Sequence, residues 1–122
     1  MRLSPFPYFI MQESIRYHIL KQIQDNPEIT QRELARVAGV SLGKINYCLR
    51  ALADKGLIKA ERFRQNPHKG RYLYALTPKG LEEKTRVTSR FLRKKLQEYD
   101  ALKEEIERLR EETGKDPESE LG

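Results

Sequence analysis

The sequence has little from which a disulfide scaffold, a metal centre or a membrane span can be built. Among its 122 residues Cys48 is the single cysteine, which excludes an intrachain disulfide and a multi-cysteine zinc site. His18 and His68 are far apart and have no carboxylate cluster at ligand spacing. No apolar stretch is long enough to span a bilayer, and prolines interrupt residues 1–11 before they resemble an export signal. We therefore expect a cytoplasmic protein without a metal or other cofactor.

Acidic side chains are scarce in the first two-thirds of the chain. Residues 1–80 carry 14 basic and 6 acidic side chains, whereas residues 81–122 carry 10 and 12. The hydrophobic content of 38% can fill one modest core and leaves no room for a second, enzyme-sized domain. No nucleophile is placed with a base and an orienting group as in an active site. We expect a protein that is not an enzyme and whose basic portion binds a polyanion.

Three amphipathic helices are predicted before residue 56. From the apolar periodicity and the end signals they cover residues 12–25, 31–38 and 42–55. Thr30 and Glu33 have the spacing of a capping box at the start of the second helix. Gly39 ends that helix, and Ser41 can cap the third helix almost at once. Two helices joined by so short a turn are typical of a helix-turn-helix.

The third predicted helix has an apolar face and a polar face. At 100° per residue the apolar face contains Leu42, Ile45, Leu49, Leu52 and Ala53. In the second helix we expect Leu34, Ala35 and Val37 to be buried. Cys48 lies beside the apolar face of the third helix, which favours a small buried side chain over a redox sensor.

The outward residues of the third helix are suited to the major groove of DNA, where polar side chains pair with base edges. We assign DNA contacts to Ser41, Gly43, Lys44, Asn46, Tyr47 and Arg50. Lys44 or Arg50 can pair with guanine, and Asn46, at the edge of the exposed face, can pair with adenine. Gly43 leaves space for the backbone to approach the duplex. The alternative is an ordinary solvated helix surface.

A basic hairpin follows the third helix. Residues 57–63 and 72–77 are short apolar and aromatic segments that flank a polar stretch, and this pattern predicts two strands. Contacts to phosphates or to the minor groove are assigned to Arg62, Arg64, His68, Lys69 and Arg71. A solubilising charged loop is the alternative. Residues 12–77 thus predict a mainly α (α+β) fold, a winged helix-turn-helix with a two-stranded wing.

A long C-terminal dimerisation helix is predicted over residues 78–112. Thr77 can cap it, and Pro78 suits its first position. A heptad pattern predicts a dimer interface, and possible coiled coil, formed by Leu92, Leu96, Tyr99, Leu102, Ile106 and Leu109. The alternative is a helix that folds back onto its own domain. Residues 113–122 are predicted to be a disordered tail, and residues 1–11 an apolar arm that crosses a partner subunit, packs locally or is disordered.

Several runs resemble those of the MarR-type winged-helix regulators, namely QRELA at 31–35, GVS at 39–41, NYCLRAL at 46–52, KGLI at 55–58 and LTPKG at 76–80. Residues 41–50 and 91–109 are similar to the small MarR-family regulators associated with exopolysaccharide gene clusters. The resemblance covers about residues 12–109. It implies homodimers that bind palindromic operators, usually as repressors, and in many members release by small ligands.

The chain departs from that family in one respect. Typical members have an additional N-terminal helix that lines the ligand pocket, whereas only residues 1–11 precede the first predicted helix here, and this argues against a small-molecule effector. We interpret the sequence as a homodimeric, sequence-specific regulator that binds double-stranded DNA, with exopolysaccharide genes as targets. The alternatives are a winged-helix adaptor that binds protein and a DNA-binding protein without sequence preference.

Overall fold

The computed structural model describes residues 12–62 and 72–114, and this part of the chain folds into four helices and one β-hairpin. The elements in chain order are α1 (Glu13–Asp25), α2 (Gln31–Ala38), α3 (Leu42–Asp54), β1 (Ile58–Arg62), β2 (Tyr72–Leu76) and α4 (Pro78–Thr113). The mainly α fold, with a two-stranded wing and a long last helix, is confirmed. The chain divides into two units, residues 1–89 and residues 90–122, and α4 has residues in both.

One hydrophobic core holds α1, α2, α3 and the hairpin together in the first unit. In α1 the apolar residues recur every three to four positions, so that Ile15, Ile19, Leu20 and Ile23 are all buried on one face. They belong to the same cluster as residues of α2, α3, β1 and β2. Because side chains from every one of these elements meet in one cluster, the orientation of each depends on the others.

Two predicted signals define the two ends of α2. The Glu33 amide donates to Thr30 Oγ1 over 3.0 Å, and the Thr30 amide donates to Glu33 Oε1 over 3.1 Å, which completes the capping box. Gly39 ends α2 with φ of 70°, a left-handed conformation that glycine adopts without strain. Three residues therefore separate the two helices.

The hairpin is tied to the rest of the first unit by its backbone. β1 and β2 are antiparallel, with Ile58 opposite Leu76 and Arg62 opposite Tyr72. The Tyr74 amide donates to the Pro27 carbonyl over 2.9 Å, which joins β2 to the loop after α1. The structure places the strands within the predicted segments and ends β2 at Leu76, one residue before the predicted limit.

Thr77 fixes the start of α4, as the sequence predicted. Its Oγ1 accepts from the Gly80 amide over 3.0 Å and donates to the Gly56 carbonyl over 2.6 Å. Its own amide donates to the Leu57 carbonyl over 3.0 Å. Three hydrogen bonds thus connect the end of the hairpin, the first turn of α4 and the turn after α3.

Three apolar residues that we predicted to be buried are exposed. Val37 is 39% exposed because it lies about 200° around α2 from the buried Ala35. Leu42 is 45% exposed, and Ala53 is also exposed. The buried arc of α3 includes Cys48 instead, so the helix is rotated toward that residue relative to the prediction, and Leu42 and Ala53 fall together on the opposite flank.

In the second unit, α4 continues as a single exposed helix. Every residue from Leu92 to Gly114 is exposed. The helix includes Thr113, one residue beyond the predicted end, and Gly114 follows it in a turn. Residues 115–122 of the predicted tail lie outside the described residues, as does the predicted N-terminal arm. Over residues 12–62 and 72–114, no helix combines the length and apolar content that crossing a membrane requires.

Gly80 is expected to be indispensable for the fold, because a Cβ at this position would overlap the backbone carbonyl oxygen of Leu57. Gly80→Ala should lower the free energy of unfolding by about 2 kcal/mol or more, measured by urea denaturation. Gly43→Ala is the matched control, since a Cβ there meets no atom within 4 Å, and it should be as stable as the wild type. Native stability of Gly80→Ala would contradict this packing.

Candidate nucleic-acid interface

The turn between α2 and α3 leaves the N-terminal end of α3 open to solvent. Ser41 has extended backbone torsions, and its Oγ accepts from the Lys44 amide over 3.1 Å. The first turn of α3 contains no acidic residue. Because the free amides and the dipole of a helix N-terminus favour anions, this end of α3 is suited to lie near a phosphate.

The six residues that we assigned to DNA contact lie around the part of α3 that faces away from the core. Ser41, Gly43, Asn46 and Arg50 are exposed, and Lys44 and Tyr47 are half-buried. The buried arc on the other side consists of Ile45, Cys48, Leu49 and Leu52. The structure therefore brings the predicted recognition residues together on one helix, in the arrangement that a groove-reading helix requires.

Part of this outward surface is concave. Asn46, Tyr47 and Arg50 line a depression of about 290 Å³ together with Ala51 and Asp54. Asp54 is the last residue of α3, and its carboxylate would repel a phosphate. The portion of the helix suited to DNA is therefore its N-terminal half and middle.

A chain of hydrogen bonds holds Asn46, which sequence reasoning did not predict. Asn46 Nδ2 donates to Gln31 Oε1 over 3.3 Å, and Gln31 Nε2 donates to Tyr74 Oη over 3.2 Å. Tyr74 is buried in the core, and this burial raises the pKa of its phenol. The chain therefore connects a fixed tyrosine of β2, the first residue of α2 and the recognition helix.

Asn46 can still recognise a base while this contact is present. A side-chain amide has two N–H donors and one carbonyl acceptor, and the bond to Gln31 uses a single donor. The remaining N–H and the carbonyl are the pair that contacts N7 and N6 of adenine. The hydrogen bond thus restricts the side chain without removing its ability to pair.

Two further basic residues that sequence reasoning missed lie on α2. Arg32 and Arg36 are exposed, and because they are four residues apart they share one face of the helix. In a helix-turn-helix the first of the two helices crosses the DNA backbone. Their spacing and charge were visible in the sequence, but the apolar periodicity directed attention to the other face of α2.

The predicted wing contacts cannot be placed in the same detail. The backbone of Arg62 forms the end of β1, opposite Tyr72. The other four residues assigned to the wing, Arg64, His68, Lys69 and Arg71, lie outside the described residues. Their contacts with DNA stay predictions.

Cys48 is fully buried, as predicted. Burial raises the pKa of its thiol to about 11, although the charge of Lys44 acts in the opposite direction. The thiol is therefore protonated at neutral pH and has no access to solvent. These properties suit a small side chain that fills the core.

A separate apolar cavity lies in the first unit. It has a volume of about 430 Å³, and its lining is formed by Ile23, Gln24, Pro27, Lys59, Glu61, Leu73, Tyr74, Ala75, Leu76 and Leu81. None of these residues lines the depression on α3. In residues 12–62 and 72–114, no group of three or more histidine, cysteine and carboxylate side chains is arranged to hold a metal ion.

Comparison with known proteins bears on both the motif and the fold. Residues 12–59 match the family model described as winged helix-turn-helix DNA-binding. No curated protein sequence matches the chain significantly. The matched residues contain α1, α2 and α3 and the start of the hairpin, which are the elements that position the outward surface of α3.

Solved structures with the same fold include one transcriptional regulator and proteins in complex with DNA. The chain is similar to the PcaV transcriptional regulator from Streptomyces coelicolor, with 23% identity and a TM-score of 0.60, over 83% of this chain and 79% of PcaV. The chain is similar to MepR in the S. aureus MepR–DNA complex, with 22% identity and a TM-score of 0.64, over 93% of this chain and 82% of MepR. The chain is also similar to Lactococcus lactis ZitR in complex with DNA, with 22% identity and a TM-score of 0.55, over 76% of this chain and 61% of ZitR.

The motif match and the arrangement of the elements lead to the same class. A capped helix, a glycine turn, an outward-facing recognition helix and an antiparallel hairpin occur in that order and pack on one core. The described part of the chain therefore has a winged helix-turn-helix fold, and its first three helices match a family model described as DNA-binding.

The Cys48 thiol is expected to be unreactive toward DTNB at pH 8 in the folded protein, since it is both buried and protonated. Unfolding in urea should release one reactive thiol. Its contribution to stability is present below its ordinary pKa of 9.0 and is lost as the pH rises toward 11.

The exposed position 24 gives the control for this measurement. Gln24→Cys should show one rapidly reacting thiol in the native state. Equal native reactivity of Cys48 and of a cysteine at position 24 would contradict the buried, structural role.

Proposed function

We propose that this chain is a dimeric, sequence-specific regulator of transcription, of the MarR type, that reads the major groove of double-stranded DNA with α3. The observation that carries the proposal is the outward surface of α3, whose polar side chains lie opposite a fully buried face. The transcriptional regulator PcaV and the DNA-bound proteins MepR and ZitR, which share the fold, support it.

Base recognition is assigned to Asn46, Arg50 and Lys44. Asn46 is restricted by the hydrogen bond from its Nδ2 to Gln31 and retains the two groups that pair with adenine. Arg50 is exposed and Lys44 half-buried, and either can donate to the acceptors of guanine. One good bidentate contact discriminates against a wrong base by about 1–3 kcal/mol.

Contacts with the DNA backbone, which do not depend on the base sequence, are assigned to other positions. Arg32 and Arg36 on α2, and the wing residues Arg64, Lys69 and Arg71, supply positive charge for phosphates. The exposed Ser41 and Gly43 at the start of α3 allow the backbone to come close to the duplex.

Dimerisation is assigned to α4. Its six predicted interface residues are exposed by 37% to 60%, and an apolar stripe of this length is covered by a second protein surface in most stable proteins. A second copy supplies that surface and gives two recognition helices for an operator with two half-sites. Repression of exopolysaccharide genes is the biological role that the sequence resemblance favours.

Selection of fragments from random duplex DNA, followed by sequencing, tests the proposal. An inverted repeat with half-sites about one helical turn apart is the expected result. Enrichment of no sequence, with binding that disappears as salt rises, would contradict it and favour a DNA-binding protein without sequence preference. Binding that is insensitive to salt would favour the protein adaptor.

Arg50→Ala and Lys69→Ala are expected to affect DNA binding in different ways. Arg50→Ala should reduce the preference for the selected operator over random DNA by about tenfold, through loss of a base contact. Lys69→Ala should weaken binding to both DNAs alike and should reduce the slope of log K against log salt by about one. Titrations at several salt concentrations measure both effects, and equal effects of the two changes on both DNAs would contradict the assignment.

Leu102→Lys is expected to convert the dimer into monomers, because it places a charge in the middle of the apolar stripe. Operator binding should weaken at least about tenfold, since the two half-sites are then bound independently. Gln97→Lys, on another face of α4, is the control and should sediment as a dimer. A dimeric Leu102→Lys protein would show that the interface lies elsewhere.

A further inference from the structure

We propose that residues 91–113 of α4 pair with the same residues of a second copy as a parallel two-stranded coiled coil. This inference rests on the dimer of the proposed function and adds the orientation and register of its two helices. The heptad positions a to g are numbered from Leu92 at position a, so that Lys95 is the first residue at position d.

Positions a and d form the apolar seam. Position a is occupied by Leu92, Tyr99, Ile106 and Thr113, and position d by Lys95, Leu102 and Leu109. All of these are exposed on an uninterrupted helix. Most helical stability in proteins comes from packing of an amphipathic face, so pairing along the seam would both bury the apolar side chains and stabilise the helix.

The residues that flank the seam differ in charge on its two sides. The g positions are Phe91, Glu98, Glu105 and Glu112, and the e positions are Leu96, Lys103 and Arg110. The g positions are therefore acidic after Phe91, and the e positions are basic after Leu96. Flanking charges of this kind set partner choice and orientation in coiled coils.

A parallel pair matches the flanking residues from Phe91 to Arg110. In that arrangement a g residue lies beside the e residue five positions later on the other helix. Glu98 then lies beside the partner subunit's Lys103, and Glu105 beside the partner subunit's Arg110. Phe91 lies beside the partner subunit's Leu96, so the apolar members of the two flanks also meet.

An antiparallel pair brings like charges together. Position g then lies opposite g, and e opposite e. Because every g residue from Glu98 onward is acidic, each antiparallel register with a substantial overlap places glutamates opposite glutamates. Lys103 and Arg110 find no acidic e residue opposite them. The charge pattern thus favours the parallel orientation and opposes the antiparallel one.

The local contacts of these side chains are compatible with this pairing. Within one helix Lys95 Nζ lies 3.2 Å from Glu98 Oε1, and Arg110 Nη1 lies 2.9 Å from Glu107 Oε1. Both ion pairs are solvent-exposed, and pairs of this kind are weak enough to be exchanged or extended. Lys95 and Thr113 are the polar residues of the seam, and in a parallel pair each lies opposite the same residue of the partner subunit. The two like charges at Lys95 oppose pairing at the start of the seam, so the attraction comes from the positions that follow it.

Charge reversal followed by sedimentation equilibrium tests the orientation. Glu98→Lys should raise the dimer dissociation constant about tenfold in a parallel pair, because it places lysine beside the partner's Lys103. In an antiparallel pair the same change removes a repulsion between glutamates and should tighten the dimer. Glu98→Lys combined with Lys103→Glu should restore the wild-type constant within about threefold.

Glu104→Lys is the control for net charge, because residue 104 is at position f, which faces away from the seam. This change should leave the dimer dissociation constant within about threefold of the wild-type value. A tighter or unchanged dimer for Glu98→Lys, or no recovery in the double variant, would overturn the parallel pair alone. A monomeric wild-type protein would overturn the dimer of the proposed function as well.

A direct distance measurement gives an independent test. A spin label on Glu111→Cys, in a protein that also carries Cys48→Ala, lies near the end of the helix at position f. In a parallel pair the two labels lie roughly 20–25 Å apart, the width of the two helices and their labels. In the antiparallel pair centred on the seam they are separated by more than roughly 35 Å. The longer distance would overturn the parallel orientation.

Discussion

Burial of Ile45, Cys48, Leu49 and Leu52 fixes the rotation of α3 about its own axis, and the outward surface is defined by that rotation. A helix in a major groove must present particular side chains to the bases, and a rotation of one residue, about 100°, would replace all of them. The capped start at Ser41 fixes the position of the helix along its axis. The proposed recognition of DNA by α3 thus depends on core packing that lies on the opposite side of the helix.

The end of the hairpin and the first turn of α4 are also held in place by contacts within the first unit. Thr77 joins the end of β2, the turn after α3 and the first turn of α4 through three hydrogen bonds. Gly80 allows α4 to pack directly on the backbone at Leu57. Within the first unit, the first turn of α4 is therefore held directly to the hairpin and to the turn after α3.

Local signals in the sequence predicted the elements closely, because caps and helix ends act over a few residues. The Thr30–Glu33 capping box, the Gly39 turn and the Thr77 cap all have the predicted hydrogen bonds or torsions. Burial was predicted less well. Cys48 is buried as expected, but Leu42 and Ala53 are exposed, because the angular position of the buried arc depends on which elements pack against α3, and this is a tertiary property.

The hydrogen bonds from Asn46 to Gln31 and on to Tyr74 could not be predicted for a related reason. Gln31 and Tyr74 are 43 residues apart, and no periodic pattern relates them. The base assigned to each recognition residue is likewise a property of the complex with DNA. The charges at positions e and g of α4 could be predicted, in contrast to these hydrogen bonds, because numbering along a single helix is enough to find them.

Position 43 has a consequence for how such a protein can change over generations. A side chain added there meets no atom of the protein, and the position lies in the first turns of the recognition helix. Most residues near a binding surface are constrained by both folding and binding, so mutations that alter binding commonly reduce stability. At position 43 the folded chain imposes no such limit, so a side chain acquired there would change the proposed DNA-facing surface of α3 while the fold is preserved.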